Sequence, residues 1–333
     1  MIVAGLDIGG TKCAALLADA REDKIEFLER EQIETKGTWE SVLDALCKKI
    51  KVFAARRGAT AEAVGISCGG PLSSARGAIL SPPNLPGWDN VPACAYVAER
   101  LGLEEKAVRL KNDADACAVA EWKYGAGRGT RNMIFLTFGT GLGAGLILNG
   151  ALYSGTDDMA GEAGHIRLEK LGPVGYGKAG SFEGFCSGGG IAQLTDMYFT
   201  EKIQRGEKCP YYRGAGSVSA KVLGERAAQG DADALAVFGL VGKYFGRGLS
   251  VLVDLLNPEV IVAGSIYARC RQYIEPNMQR EMQKECLAAS YARVRVLPSK
   301  LGEKIGDYGA VALFLRLYFC KQGRFCRKVL KMR

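Results

Sequence analysis

Two glycine-rich stretches hold the residues best suited to chemistry on a phosphate. The first is Asp7-Ile8-Gly9-Gly10-Thr11-Lys12. The second, about 130 residues on, is Thr137-Phe138-Gly139-Thr140-Gly141-Leu142-Gly143-Ala144-Gly145. In the first, Gly9 and Gly10 let backbone N–H groups close on an anion, Thr11 adds a hydroxyl and Lys12 a cation. Asp7 offers oxygen to a Mg2+ that keeps its own waters. A lone Gly-Gly hairpin with a solvated lysine is common. This one combines Asp, two Gly, Thr and Lys, and a second turn follows it. Asn112-Asp113 ends an apolar run and precedes a helical pattern, the place where ligands bind in α/β sheets. A carboxylate there can take a proton from a hydroxyl, although the same pair serves equally as a plain helix cap. Gly161-Glu162-Ala163-Gly164-His165 contains the chain's single histidine, and Glu183 lies in a further glycine-rich loop. Such donors and acceptors suit a sugar.

Two familiar nucleotide patterns fail. Gly172-Pro173-Val174-Gly175-Tyr176-Gly177-Lys178-Ala179 nearly matches a P-loop, but Ala179 stands where a hydroxyl must hold Mg2+, and no helix pattern begins at Lys178. Residues 139–145 have glycine at every second position and lead into a strand, unlike the dinucleotide fingerprint.

These residues need elements to position them. Apolar runs predict strands at 2–7, 13–18, 25–33, 64–68 and 108–111. Helical spacing predicts helices at 39–57, 91–101 and 114–124, the last capped by Asn112 or Asp113, with a structured loop at 81–89. The second half repeats the order. It has a glycine hairpin at 133–148, an extended stretch to Arg167, a loop at 172–190 and helices at 190–206, 218–230, 231–256, 266–287 and 308–320. Strands follow at 258–263 and 294–297. A hairpin-first α/β order used twice predicts two similar mixed-sheet lobes flanked by helices, joined within 113–129.

The chain's 333 residues suit two domains, and 48% hydrophobic content can bury a sizeable core. No apolar run reaches bilayer-spanning length, and the N-terminus enters a strand pattern at once, so a soluble, untargeted, cytoplasmic protein is expected. The 11 cysteines form no C-x-x-C pair and fall mostly in apolar stretches, such as Cys13, Cys47, Cys117 and Cys270, as buried reduced thiols do. The net charge of +8 is concentrated in the last 13 residues, which carry six lysines and arginines and no acid, leaving +2 elsewhere. That tail reads as a solvated end, with no nucleic-acid or membrane partner expected.

Taken in order, these segments resemble the ROK family of repressors and sugar kinases, within the superfamily of sugar kinases, actin and chaperone ATPases. Residues 6–12 look like its first phosphate motif and residues 139–145 like its second. Pro83-Asn84-Leu85-Pro86-Gly87-Trp88 looks like its sugar loop. Asn112-Asp113-Ala114-Asp115-Ala116 is similar to the segment carrying its catalytic aspartate, and Gly161–His165 resembles its sugar-ligand signature. Ile261-Val262-Ala263-Gly264-Ser265 looks like its adenosine motif, with Ser265 in place of a second glycine. The resemblance implies an actin-like, ribonuclease H-like two-lobed fold with a cleft between lobes. Residues 1–113 with helix 308–320 would form one lobe, 114–307 the other, and 321–333 a basic tail.

The implied activity is ATP-dependent phosphorylation of a hexose or N-acetylhexosamine at the 6-hydroxyl. Asp113 is the implied base. Asp7 (with Mg2+), Gly9, Gly10, Thr11, Lys12, Thr140, Gly141, Gly143, Gly264 and Ser265 would hold the nucleotide. Asn84, Asn112, Asp113, Glu162, His165 and Glu183 would hold the sugar, and a homo-oligomer, a dimer or higher, is implied. The family's histidine is commonly followed by C-x-C-G-x-x-G-C-x-E, which binds structural zinc. Here that register reads Val174-Gly175-Tyr176-Gly177-Lys178-Ala179-Gly180-Ser181-Phe182-Glu183, with every cysteine gone. One imidazole cannot make a four-ligand site, so no structural zinc is expected and packing must hold the loop. Glucose, N-acetylglucosamine, N-acetylmannosamine, mannose, fructose, allose and β-glucosides all fall within the resemblance. The rival is a sugar-responsive regulator, disfavoured because the first strand starts at Ile2 with no helix-turn-helix before it. A non-catalytic sugar-binding protein is disfavoured by the intact turns and Asp113.

Overall fold

A computed structural model describes residues 1–321, with the side chains of the last helix described through Phe314. The basic tail expected at 321–333 therefore lies almost wholly outside the described residues. By packing, the chain divides into two units: Met1–Gly129, Leu152–Ala160 and the chain from Glu303, and Thr130–Ala151 with Gly161–Gly302.

The first unit opens with β1 (Ile2–Ile8), β2 (Lys12–Ala20) and β3 (Ile25–Glu34), followed by α1 (Trp39–Arg57) and β4 (Ala63–Cys68). A small hairpin, β5 (Leu72–Ser73) and β6 (Ala78–Ile79), leads to α2 (Ala93–Leu101), β7 (Val108–Asn112) and α3 (Asp113–Tyr124). The sheet order is β3-β2-β1-β4-β7. The β1–β2 and β2–β3 pairs are antiparallel, whereas β1–β4 and β4–β7 are parallel. Strands β1 and β4 are apolar along nearly their whole length because both sheet faces are covered. Helix α1 buries Val42, Leu43, Leu46, Ile50 and Phe53 at helical spacing; Thr38 caps its start and Gly58, in the left-handed region, ends it. Helix α2 starts two residues later than its pattern, since Val91 bridges Ile79 and Pro92 takes the cap position. Parallel register sets Asp7 beside Ser67, Ser67 beside Lys111, and Cys68 beside Asn112, so the polar residues collect at one end of the strands. By packing, the first segment of this unit runs on through α3 to Gly129.

The other sheet has the order β10-β9-β8-β13-β14, from β8 (Met133–Leu136), β9 (Ala144–Leu148), β10 (Ala151–Tyr153), β13 (Val260–Ala263) and β14 (Arg295–Pro298), and all of it but the last two residues of β10 belongs to the second unit. Again the hairpin pair β8–β9 is antiparallel and the following pairs are parallel, as the repeated sequence order predicts. The extended stretch expected up to Arg167 is short: after Tyr153 the chain turns repeatedly and makes a 3-10 turn at Ala163–His165. A hairpin of β11 (Val174–Gly175) and β12 (Lys178–Ala179) follows, then α4 (Phe182–Phe185) and α5 (Gly188–Gln204). Strand β12 at Lys178 bears out the rejection of a P-loop. Next come α6 (Ala220–Ala228), α7 (Ala232–Leu256), α8 (Ser265–Glu285) and α9 (Ala288–Tyr291). One expectation is corrected: α7 is long and apolar enough to cross a bilayer. However, 61% of its most apolar stretch is buried inside the protein, as in a core helix. The chain then returns to the first unit through α10 (Ile305–Lys321), which packs on α3, β4 and β1.

Candidate active site

In the first unit the β1–β2 turn closes by the Gly9 N–H donating to the Lys12 carbonyl (3.2 Å). Thr35, just past the end of β3, supports it: its hydroxyl donates to the Gly9 carbonyl (2.7 Å) and its N–H to the Thr11 carbonyl (3.0 Å). Thr11 and Lys12 are exposed and available to a ligand. Gly10 has no room for a side chain, because a Cβ there would stand 2.3 Å from the Asn84 carbonyl oxygen. The 81–89 loop is pinned by buried Leu85 and Trp88, which leaves Asn84 beside this turn. Asn112 caps α3 by accepting the Ala114 N–H (2.9 Å), and the Asp113 carboxylate accepts the same N–H (2.8 Å).

The electrostatics single out the carboxylates. Burial lifts Asp7 to about 6, with help from the negative charges of Asp113 and Asp307. Ser67 opposes this weakly: its buried hydroxyl faces Asp7 but closes no well-formed hydrogen bond. Asp113 is also pushed above the ordinary carboxylate range by the protein packed around it, against the pull of the Ala114 N–H. Its side chain still reaches solvent, so the desolvation is partial. Among the described residues no ion pair engages it, whereas Asp307 is paired with Arg30 (2.8 Å).

Sequence reasoning missed a polar network behind Asp113. Lys111 donates to Ser74 (3.1 Å), Ser154 (3.0 Å) and Asp158 (2.9 Å), and Ser154 donates to buried Asp115 (2.6 Å). Ser74 completes the network through its N–H (2.8 Å) and hydroxyl (2.6 Å) on Asp158. Burial raises Asp115 to about 6. Asp158, which burial alone would raise, is held below its usual range by Ser74 and Lys111. The one sequence signal was Asp115, two residues beyond Asp113.

In the second unit the β8–β9 turn is tied by its own atoms. Gly143 N–H donates to the Thr137 hydroxyl (2.9 Å), Thr137 N–H to the Gly143 carbonyl (3.0 Å), and Gly139 N–H to the Gly141 carbonyl (3.0 Å). Glu183, on α4, accepts the Leu142 N–H (2.9 Å), and Ala144 N–H donates to the Gly161 carbonyl (2.8 Å). Thus Glu183 and the backbone of the Gly161–His165 segment lie against this turn. A cavity of about 590 Å3 opens beside it, lined by Gly139, Thr140, Gly188, Ser265, Arg269 and Tyr273 among others. Ser265 begins α8 with φ 48° and accepts a hydrogen bond from Arg269 (3.0 Å); Gly264 precedes it. Among the described residues no cluster of three or more His, Cys, Asp or Glu is placed to hold a metal ion.

The ROK family model matches residues 3–317. The chain belongs to the ROK family. Among ROK relatives it is similar to a glucokinase of Streptomyces coelicolor, 30% identical over 314 residues, spanning 93% of this chain and 96% of the relative. It is similar in structure to a ROK glucokinase from Streptomyces griseus in complex with glucose and AMPPNP, with a TM-score of 0.72 and 30% identity, covering 94% of this chain and 99% of that one. A ROK transcriptional regulator, a homologue of the E. coli MLC protein, superposes with a TM-score of 0.81 at 23% identity, covering 99% of this chain and 81% of that one. ROK folds therefore serve kinases and regulators alike, and the reading of function rests on the site residues.

Proposed function

We propose that this chain phosphorylates a hexose or N-acetylhexosamine at the 6-hydroxyl with ATP. The observation that carries this reading is Asp113: a solvent-reaching carboxylate with a raised pKa and, among the described residues, no ion pair, at the end of β7. Raising a carboxyl toward working pH makes it a better base. Asp113 accepts the proton of the 6-hydroxyl as that oxygen attacks the γ-phosphorus and ADP leaves. Phosphoryl transfer then needs positioning and charge neutralisation more than covalent help. Lys12 and Thr11 with the first turn, and Thr140, Gly141 and Gly143 with the second, supply these to the phosphates. The 590 Å3 cavity lined in part by Ser265 is of a size to take the adenosine. Asn84, Asn112, Glu162, His165 and Glu183 hold the remaining hydroxyls.

A magnesium ion fits this donor set. Asp7 carries charge that Asp113 and Asp307 oppose, and Ser67 presents a buried hydroxyl with no bond of good geometry. Asp7 would hold the ion through water, and the ion would neutralise phosphate charge when bound. The reading includes a cytoplasmic homodimer, supported by the family and by the free cysteines among the described residues. A coupled ADP-release assay over glucose, N-acetylglucosamine, N-acetylmannosamine, mannose and fructose tests the reading. Turnover with at least one hexose is expected. No ADP release with any of them, despite measurable ATP binding, sinks it.

A further inference from the structure

We propose that Tyr176 is a positioning residue for the His165 imidazole, and that the β11–β12 hairpin is a metal-free latch on the sugar side of the site. The inference rests on the sugar-kinase reading for its functional consequence, but not for its structure. Residues Tyr176 and Gly177 form a two-residue hairpin loop with φ 44° and 75°, the signature of a type I′ turn. Asn, Asp or Gly normally takes the first of these positions, because a larger L-residue is strained at positive φ. Here it is a tyrosine, and 69% of it is exposed, so core burial does not compensate the strain. Its ring meets His165 edge to face, with centroids 5.3 Å apart and planes at 79°. Such a contact is favourable and directional.

The rest of the hairpin holds the same histidine from a second side. Lys178, two residues after Tyr176, donates to the His165 carbonyl (2.7 Å). The hairpin is in turn anchored. Val174 exchanges two hydrogen bonds with the Gln193 side chain, each 2.9 Å. Ser181 donates to the Gly175 carbonyl (3.4 Å) and accepts the Gly184 N–H (3.0 Å), which ties the hairpin to the short helix bearing Glu183. The hairpin therefore bridges His165 and Glu183 through protein groups alone.

Zinc does not fit here. The residues in the register of the expected cysteines are Val174, Tyr176 and Ser181. Val174 offers no side-chain donor, the Ser181 hydroxyl is committed to protein partners, and only His165 remains as an ordinary ligand. Ring contact and a lysine–carbonyl bond do the orienting that a metal would otherwise do.

The test uses the full chain, glucose and AMPPNP as separate probes, and the one-histidine composition, which gives a single imidazole signal by heteronuclear NMR. Tyr176→Gly suits the turn better than tyrosine, so it separates positioning from folding. Tyr176→Phe keeps the ring. We expect protein prepared with zinc present to carry far less than one equivalent, and a chelator to leave glucose affinity unchanged. Tyr176→Gly should shift the imidazole signal and weaken glucose binding roughly tenfold while AMPPNP affinity holds. Tyr176→Phe should restore both. Stoichiometric zinc whose removal weakens glucose overturns the proposal. So does Tyr176→Gly with an unchanged imidazole signal. If the parent chain binds none of the hexoses, the kinase reading fails separately, and the imidazole signal and zinc content still decide the latch.

Discussion

The two glycine turns look alike in sequence but are built differently. The β1–β2 turn has little closure of its own: one main-chain hydrogen bond and the support of Thr35, with Thr11 and Lys12 exposed. Around it stand charges, with Asp7, Asp113 and Asp307 close enough to raise the Asp7 pKa. The β8–β9 turn is closed by Thr137, Gly139, Gly141 and Gly143 among themselves and by Glu183, and a cavity opens beside it. One turn therefore brings reactive charge, and the other brings a rigid rim. Changes near the first should cost rate, whereas changes near the second should cost nucleotide or sugar affinity.

The largest break in that comparison is Asp113→Asn. An amide keeps the shape but cannot take a proton, so kcat should fall about 10^2–10^4-fold with sugar and ATP binding nearly intact. Calorimetric binding beside steady-state kinetics checks this, and an unchanged kcat removes Asp113 as the base. Next in size is a matched pair, Gly10→Ala and Gly141→Ala. At Gly10 a Cβ would meet the Asn84 carbonyl at 2.3 Å, which is backbone; at Gly141 it would meet the Glu183 carboxylate tip at 2.7 Å. A side-chain tip can swing away and a carbonyl cannot. Gly10→Ala should cost roughly tenfold to a hundredfold in kcat/KM, and Gly141→Ala severalfold at most. The reverse order would mean that Glu183 is held more stiffly than the Asn84 loop.

The sequence was legible where pattern alone sets structure. Helix α1 spans the residues its apolar spacing predicts, and Asn112 caps α3 as anticipated. The hairpin-first order appears in both sheets. What could not be read were partners set by strand register and by chain returns. The Lys111–Asp158 pair joins residues 47 apart in sequence, and Ser154–Asp115 joins residues 39 apart. No local spacing encodes either pair. Tyr176 escaped for another reason: tyrosine is a poor residue for a type I′ turn, so its φ becomes apparent only with the His165 ring beside it. The place of α3 in the first unit is likewise non-local, because it packs on α10, nearly two hundred positions later.

A third prediction concerns the network behind Asp113 and has a pH signature. The fold lifts Asp115 to about 6, so the native state holds a proton that the unfolded chain has released once the pH is above about 4. Stability from this group is therefore present at low pH, is lost as pH rises from about 4 to about 6, and is flat beyond that. Asparagine mimics the protonated form and can still accept from Ser154. Asp115→Asn should be more stable than the parent by about 1–3 kcal/mol at pH 7.5, with the gap closing toward pH 4. Lys111 keeps Asp158 as its partner, which limits the loss from the pair. Urea denaturation at several pH values measures it. A gap that widens at low pH would contradict the sign.

The smallest effect tests the rim. Ser265 begins α8 at φ 48°, where a non-glycine residue costs about 1–2 kcal/mol. Ser265→Gly removes that strain but adds unfolded-state entropy of about 0.5–1 kcal/mol, so net stability should rise by about 0–1.5 kcal/mol. The substitution also removes the hydroxyl that accepts from Arg269 at 3.0 Å, beside the cavity assigned to adenosine. ATP affinity should then fall roughly threefold with sugar affinity unchanged, in keeping with one exposed hydrogen bond. If Ser265→Gly instead binds ATP as tightly as the parent, the serine at this otherwise glycine position only loads the helix start with strain. The nucleotide would then be held by the β8–β9 turn without it. If kcat falls while both affinities hold, the division between a charged first turn and a rigid second turn fails, because α8 would then be acting on rate.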